Sequence, residues 1–180
     1  MKKILAFAGS NSSTSINHRL LKHISERIQG HEMKLIKLTE YDFPMYSADL
    51  EKERGIPMDV KIVKNIIAEH DALIIAVNEH NGTVSSYFKN CIDWLSRADR
   101  NFLKDKKILL ISTSNGARGA ASALEFTKSV LPRFGGQVIE SFSFPSYADN
   151  FQDNKVHNEV LDMGIEDVLT TFSHEVEESK

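Results

Sequence analysis

Apolar residues along the chain fall into two alternating kinds of run. Five short runs are β-like: residues 4–8, 33–38, 72–77, 108–113 and 138–144. The first, third and fourth are almost continuously apolar, the pattern of parallel strands covered on both faces. Between them, apolar residues recur at helical spacing. Leu20, Leu21, Ile24 and Ile28 predict one helix; Ile62, Val63, Ile66 and Ile67, opened by Pro57, predict a second. Val84, Tyr87, Phe88, Cys91, Ile92 and Leu95 give a third, Ala120, Ala123, Leu124, Thr127 and Leu131 a fourth, and Leu161, Ile165, Val168, Leu169 and Phe172 a fifth. Strand followed by helix, repeated five times, predicts a doubly wound α/β sheet with helices on both faces. Segment 39–56, polar and carrying Pro44 and Gly55, fits neither pattern and reads as a long functional loop.

In such a sheet, ligands bind beyond the carboxyl ends of the strands. Three loops lie there: 9–17, 78–83 and 112–119. The first, Gly9-Ser10-Asn11-Ser12-Ser13-Thr14-Ser15-Ile16-Asn17, is rich in hydroxyls and opens a helix. Free N–H groups and the helix dipole at that point favour an anion, so it reads as a phosphate cradle, or equally as a polar loop with a helix cap. It is not a Walker loop, having no Gly-Lys-Ser/Thr, and its single glycine excludes the dinucleotide fingerprint. The second loop, Asn78-Glu79-His80-Asn81-Gly82-Thr83, carries Asn-Gly, which marks a tight turn with positive φ. The third holds Ser114, Asn115, Gly116, Arg118 and Gly119.

Composition narrows the class. The 180 residues are 41% apolar and 26% charged, enough for one domain spanning 1–180 with a core of its own. A single cysteine, Cys91, excludes an internal disulfide and a cysteine-rich zinc site, and the seven histidines show no metal spacing, so no metal is expected. A net charge of −3 with both signs interspersed gives no nucleic-acid or acidic-membrane surface. The longest apolar run, residues 72–77, is far short of the ~20 that cross a bilayer. The initial run is too short for a secretion signal. The expectation is a cytoplasmic protein whose partners are small molecules or copies of itself.

The second loop runs into Lys89-Asn90-Cys91-Ile92-Asp93-Trp94-Leu95-Ser96-Arg97. Here the chain resembles the NADPH-dependent FMN reductase family of flavodoxin-like flavoproteins. That family's loop reads Pro-Glu-Tyr-Asn-Gly-Ser before a Lys-Asn-Ala-Ile-Asp-Trp-Leu-Ser-Arg type of helix, and its first loop Gly-Ser-x-Arg-x-x-Ser-x-Asn. Loop 112–119 and Phe43-Pro44-Met45-Tyr46 are similar to the family as well. The resemblance implies a flavodoxin-like five-stranded parallel sheet in the order 2-1-3-4-5 and one FMN-binding domain. Ser10, Ser15, Ile16 and Asn17, with Gly9 and Ser12 beside them, would hold the FMN phosphate. Asn78, Glu79, His80, Asn81 and Gly82 would lie along the isoalloxazine ring, and Ser114, Asn115, Gly116 and Gly119 at its pyrimidine side. Arg118 reads as a contact for a nicotinamide nucleotide's phosphate or for reduced flavin, or as a solvent-facing side chain. Three positions depart from the pattern: Ser12 stands for arginine, Asn78 for proline and His80 for tyrosine. Loss of the arginine removes a charge-assisted phosphate contact, and His80 reads either as a ring neighbour or as a solvated loop residue.

The activity implied is hydride transfer from NADPH or NADH through bound FMN to a small acceptor, such as flavin, quinone or an azo compound, with ping-pong kinetics and no catalytic protein side chain. A flavin-binding electron carrier is the alternative. Cys91 reads as a buried structural thiol. Trp94 falls off the apolar stripe of its helix and asks for a second cover. Either a partner subunit supplies it, in a homodimer or homotetramer through helix 84–97 as the resemblance implies, or segment 39–56 does.

Overall fold

The computed structural model describes residues 1–178. The elements in chain order are β1 (Lys3–Ala8), α1 (Ile16–Ser25), β2 (Glu32–Lys37), α2 (Ala48–Arg54), α3 (Met58–Ala68), β3 (Ala72–Val77), β4 (Glu79–His80), β5 (Thr83–Val84), α4 (Ser86–Ala98), β6 (Lys107–Thr113), α5 (Ala121–Val130), β7 (Gln137–Phe144), α6 (Tyr147–Asn150), β8 (Phe151–Gln152), β9 (Lys155–Val156) and α7 (Glu159–Glu177). Five strands pair in parallel in the order β2-β1-β3-β6-β7, the order implied by the family resemblance. Every residue of β3 is buried, because helices cover both faces of the sheet centre.

The pleat divides the core. Leu5, Phe7, Leu73, Ile75, Ile108 and Leu110 face α3, α4 and α5, whereas Ile4, Ala6, Ile74, Leu109 and Ile111 face α1 and α7. The long C-terminal helix α7 places Ile165, Leu169, Phe172 and Val176 on this second layer, so the tail belongs to the same core. Edge strand β7 is only half-buried and slips register at Ile139, between the pairs Ile108–Val138 and Leu109–Glu140.

Segment 39–56 is not a plain loop. It holds a 3₁₀ turn at Leu38–Glu40 and helix α2, capped by Ser47, whose hydroxyl accepts from the Leu50 N–H. The segment straps across α4. The buried Asn90 amide donates to Phe43 O and Pro44 O, both at 3.0 Å, and accepts from Tyr46 N at 2.8 Å. Trp94 donates its indole N–H to Pro44 O at 2.6 Å and meets the Tyr46 ring edge-on. Glu51 completes the strap, accepting from the Tyr46 hydroxyl and the Arg97 guanidinium. Trp94 is thus fully covered by its own chain, and the homo-oligomer expectation rests on the family resemblance without it.

Candidate functional site

The chain turns back between β2 and β3, so loops leaving β1 and β3 part to opposite sides of the sheet and leave a cleft at their carboxyl ends. At β1 the cleft begins with Gly9. A methyl group on its Cα would sit 2.5–2.6 Å from the Phe88 ring, so α4 can cross this close only over glycine. Ser85 fixes the crossing: its hydroxyl caps α4 by accepting from Phe88 N and donates to Gly9 O at 2.9 Å. Beyond Gly9 the hydroxyl loop winds on itself, with Ser12 N donating to Ser10 Oγ and Thr14 N to Ser12 Oγ. Ser15 then caps α1, accepting from His18 N.

The second loop is a hairpin. Strands β4 and β5 pair antiparallel across Asn81 (φ 52°) and Gly82 (φ 79°), the two left-handed residues that a two-residue reversal demands. Glu79 reaches from the hairpin to α5, where its carboxylate accepts from Ala123 N at 3.1 Å. Helix α5 starts after Ala120, which has no capping side chain, so Glu79 supplies the missing cap from another loop. The third loop is pinned from behind: Ser112 Oγ donates to Gly119 O, Thr113 Oγ1 to Phe144 O, and Tyr147 N to Ser114 O.

These loops enclose a cavity of about 240 Å³. Its hydroxyl-rich end is formed by Ser10, Ser12, Ser15, Ile16 and Asn17, and its other walls by Asn78, Glu79, His80, Ser114 and Asn115. Thr14 and Thr113 line it too, although the sequence did not single them out; the hydroxyl run around Thr14 was the available signal. Six of the residues anticipated lie behind or beside this cavity. Gly9 is under Phe88, Asn81 and Gly82 shape the hairpin tip, and Gly119 is pressed against Phe144. Arg118 is exposed and donates to Ser122 Oγ. Gly116 instead anchors the loop base, accepting from Ser146 N.

Asn17 is in the cavity wall, but its amide is engaged elsewhere: Oδ1 accepts from Thr113 N at 3.0 Å and Nδ2 donates to Thr113 O at 3.1 Å. It clamps the start of α1 to the end of β6, holding the first loop against the third. Asn78 is different. Its Nδ2 contacts His80 Nε2 at 3.3 Å, so two of the three departures from the family pattern touch each other. Its Oδ1 is buried with no partner in the protein. A buried acceptor left open in a cleft that also has hydroxyls and a helix N-terminus fits a bound polar ring carrying a phosphate. Flavin mononucleotide meets both demands: Ser10, Ser12, Ser15 and the α1 terminus would hold its phosphate, and Asn78 would offer an acceptor to a ring N–H.

No cysteine chemistry competes with this reading. Burial pushes the Cys91 thiol up to about 12, which keeps it protonated, and burial followed by Cys91 itself pushes the Tyr87 phenol upward. Among the described residues there is no cluster able to hold a metal ion and no helix long and apolar enough to cross a membrane.

A parallel sheet in this order, with a cleft at the switch point between β1 and β3, is of the flavodoxin-like class. Residues 2–149 match the family described as NADPH-dependent FMN reductase, and the chain belongs to that family of oxidoreductases. The quinone reductase of Escherichia coli (strain K12) is 33% identical over 132 residues, 72% of this chain and 69% of that protein. An NADPH:quinone oxidoreductase of Arabidopsis thaliana is 32% identical over 124 residues, 67% of this chain and 62% of that protein. Among solved structures, the flavoenzyme NAD(P)H:(acceptor) oxidoreductase FerB from Paracoccus denitrificans matches with a TM-score of 0.80 and 28% identity over 98% of both chains. The family match stops at residue 149, so α7 lies outside it while packing on the same sheet.

Proposed function

We propose that this chain is an FMN-dependent NAD(P)H oxidoreductase that reduces a small acceptor, such as a flavin, quinone or azo compound, with ping-pong kinetics, and that residues 1–180 form its single FMN-binding domain. FMN, when bound, supplies the hydride chemistry. The chain's residues bind and orient. Hydroxyls of Ser10, Ser12 and Ser15 and the N-terminus of α1 neutralise the phosphate, the hairpin and the third loop bracket the ring, and Asn17 keeps the two loops in register.

The observation that carries this reading is the open acceptor of Asn78 in a cleft at the switch point of a family-matched sheet. In this scheme a nicotinamide and an acceptor would meet the bound flavin in turn. Initial rates with NADH or NADPH against quinone should therefore give parallel double-reciprocal lines. Intersecting lines would reject the ping-pong scheme, and a purified protein that neither carries flavin nor quenches FMN fluorescence on titration would reject the enzyme itself.

A further inference from the structure

A second cavity, of about 350 Å³, adjoins the flavin cleft at its phosphate end. The two share Ser10, Ser12 and Ser15, so only the hydroxyl loop separates them. The new walls are His18 and Arg19 from the first turns of α1, Lys37 from the last position of β2, and Leu38 and Thr39 just after it. Three basic side chains line this space and no acidic one does. Glu40, next to Thr39, is the acidic neighbour of His18, and Lys22 faces it from the following turn of α1. Arg19 also lies beside the Tyr147 hydroxyl. The wall is therefore net positive, with an apolar patch from Ala8 and Leu38.

Ser12 lines both cavities, and it stands where the family pattern has arginine. Volume and charge agree on what the second cavity takes, since ligand cavities run from roughly 300 to 1,000 Å³ and pair an apolar wall with a few placed polar groups. The group covalently next to a flavin 5′-phosphate in a larger flavin is a second phosphate bearing adenosine.

We propose that this cavity receives the adenylate half of FAD, its second phosphate held by Lys37 and His18, so that the chain accepts FAD as well as FMN. The inference rests on the flavin reading of the neighbouring cleft. His18 supports it from another side: burial first, then the positive charges of Lys37 and Lys22, hold its ring below the usual histidine range, against the pull of Glu40. An incoming phosphate reverses that balance.

The test is fluorescence-quenching titration of apo protein with FMN and FAD. The wild type should bind FAD within tenfold of FMN. Lys37→Glu, at an exposed site, should weaken FAD at least tenfold while moving FMN less than threefold. A histidine-resolved NMR titration gives a variant-free check: the His18 ring should titrate at higher pH with FAD bound than with FMN. FAD more than tenfold weaker than FMN in the wild type, or Lys37→Glu weakening both alike, overturns the inference alone. Failure of FMN itself to bind overturns the proposed function and this inference with it.

Discussion

Asn17 separates a structural clamp from a ligand contact, because sequence resemblance places it on the phosphate while the structure shows both ends of its amide on Thr113. Asn17→Ala removes a 3.0 Å and a 3.1 Å hydrogen bond at once, at a residue 3% exposed facing one 1% exposed. The nearly buried Thr113 N–H and C=O both lose their side-chain partner, at about 1–3 kcal/mol each. A central value of about 4 kcal/mol for the two together lowers the melting temperature of a chain this size by roughly 8–16 °C. Asn17→Asp should cost at least as much, since a carboxylate still accepts from Thr113 N but sets a buried negative charge against Thr113 O. The assay is thermal and urea unfolding of the apo protein by circular dichroism, followed by FMN titration at a temperature where each variant is folded. The expected result is a large loss of apo stability accompanied by weaker FMN binding. An apo melting temperature within about 1 °C of wild type, with FMN affinity lost, refutes the clamp and makes Asn17 a direct ligand.

Other residues give sharp outcomes of their own. Trp94→Phe keeps a ring in the strap but deletes the 2.6 Å bond to Pro44 O, and should lower the urea-derived stability by about 1–3 kcal/mol with little change in helix content. Gly119→Ala combines a left-handed φ of 56° with a Cβ placed 2.6 Å from Ser143 Oγ and 2.7 Å from the Phe144 carbonyl carbon; a loss under about 1 kcal/mol would contradict that packing. Glu79→Ala should cost about 1 kcal/mol by uncapping α5, whereas Glu79→Gln, still an acceptor, should cost less in the same melts. Acid sensitivity follows from His18 and His23, both held below the usual histidine range chiefly by burial, with Lys37 and Arg27 respectively adding repulsion. Their folded state resists protonation, so the unfolded chain binds more protons once pH falls below about 6.5, and stability is lost in that direction. Melting temperatures should drop from pH 7.5 to 5.5, and His23→Gln should flatten the drop.

The sheet was legible because its central strands are apolar without interruption, and residues 72–77 emerge with the boundaries that their pattern predicts. The hairpin was legible because Asn81-Gly82 has few conformations open to it. Helix α2 was not: none of its residues is buried, so it presents no apolar stripe to read. The cover over Trp94 was ambiguous for a related reason, since its partner is the backbone carbonyl of Pro44, and backbone partners leave no mark in the residue pattern. Asn17 and Glu79 drew attention as polar loop residues, yet both spend their hydrogen bonds on main-chain atoms 96 and 44 positions away. Lys37 escaped notice because nothing in a strand's alternation says that its last residue turns towards the hydroxyl loop of its neighbour.

The carboxylate of Glu79 makes the hairpin and α5 into a lever. A molecule wedged against residues 78–80 cannot push the hairpin outward without drawing the carboxylate off the Ala123 amide and fraying the first turn of α5. Filling the cleft and tightening a distant helix end are thereby mechanically linked, and the backbone of Ala121–Ala123 becomes a strain gauge for whatever the cleft holds.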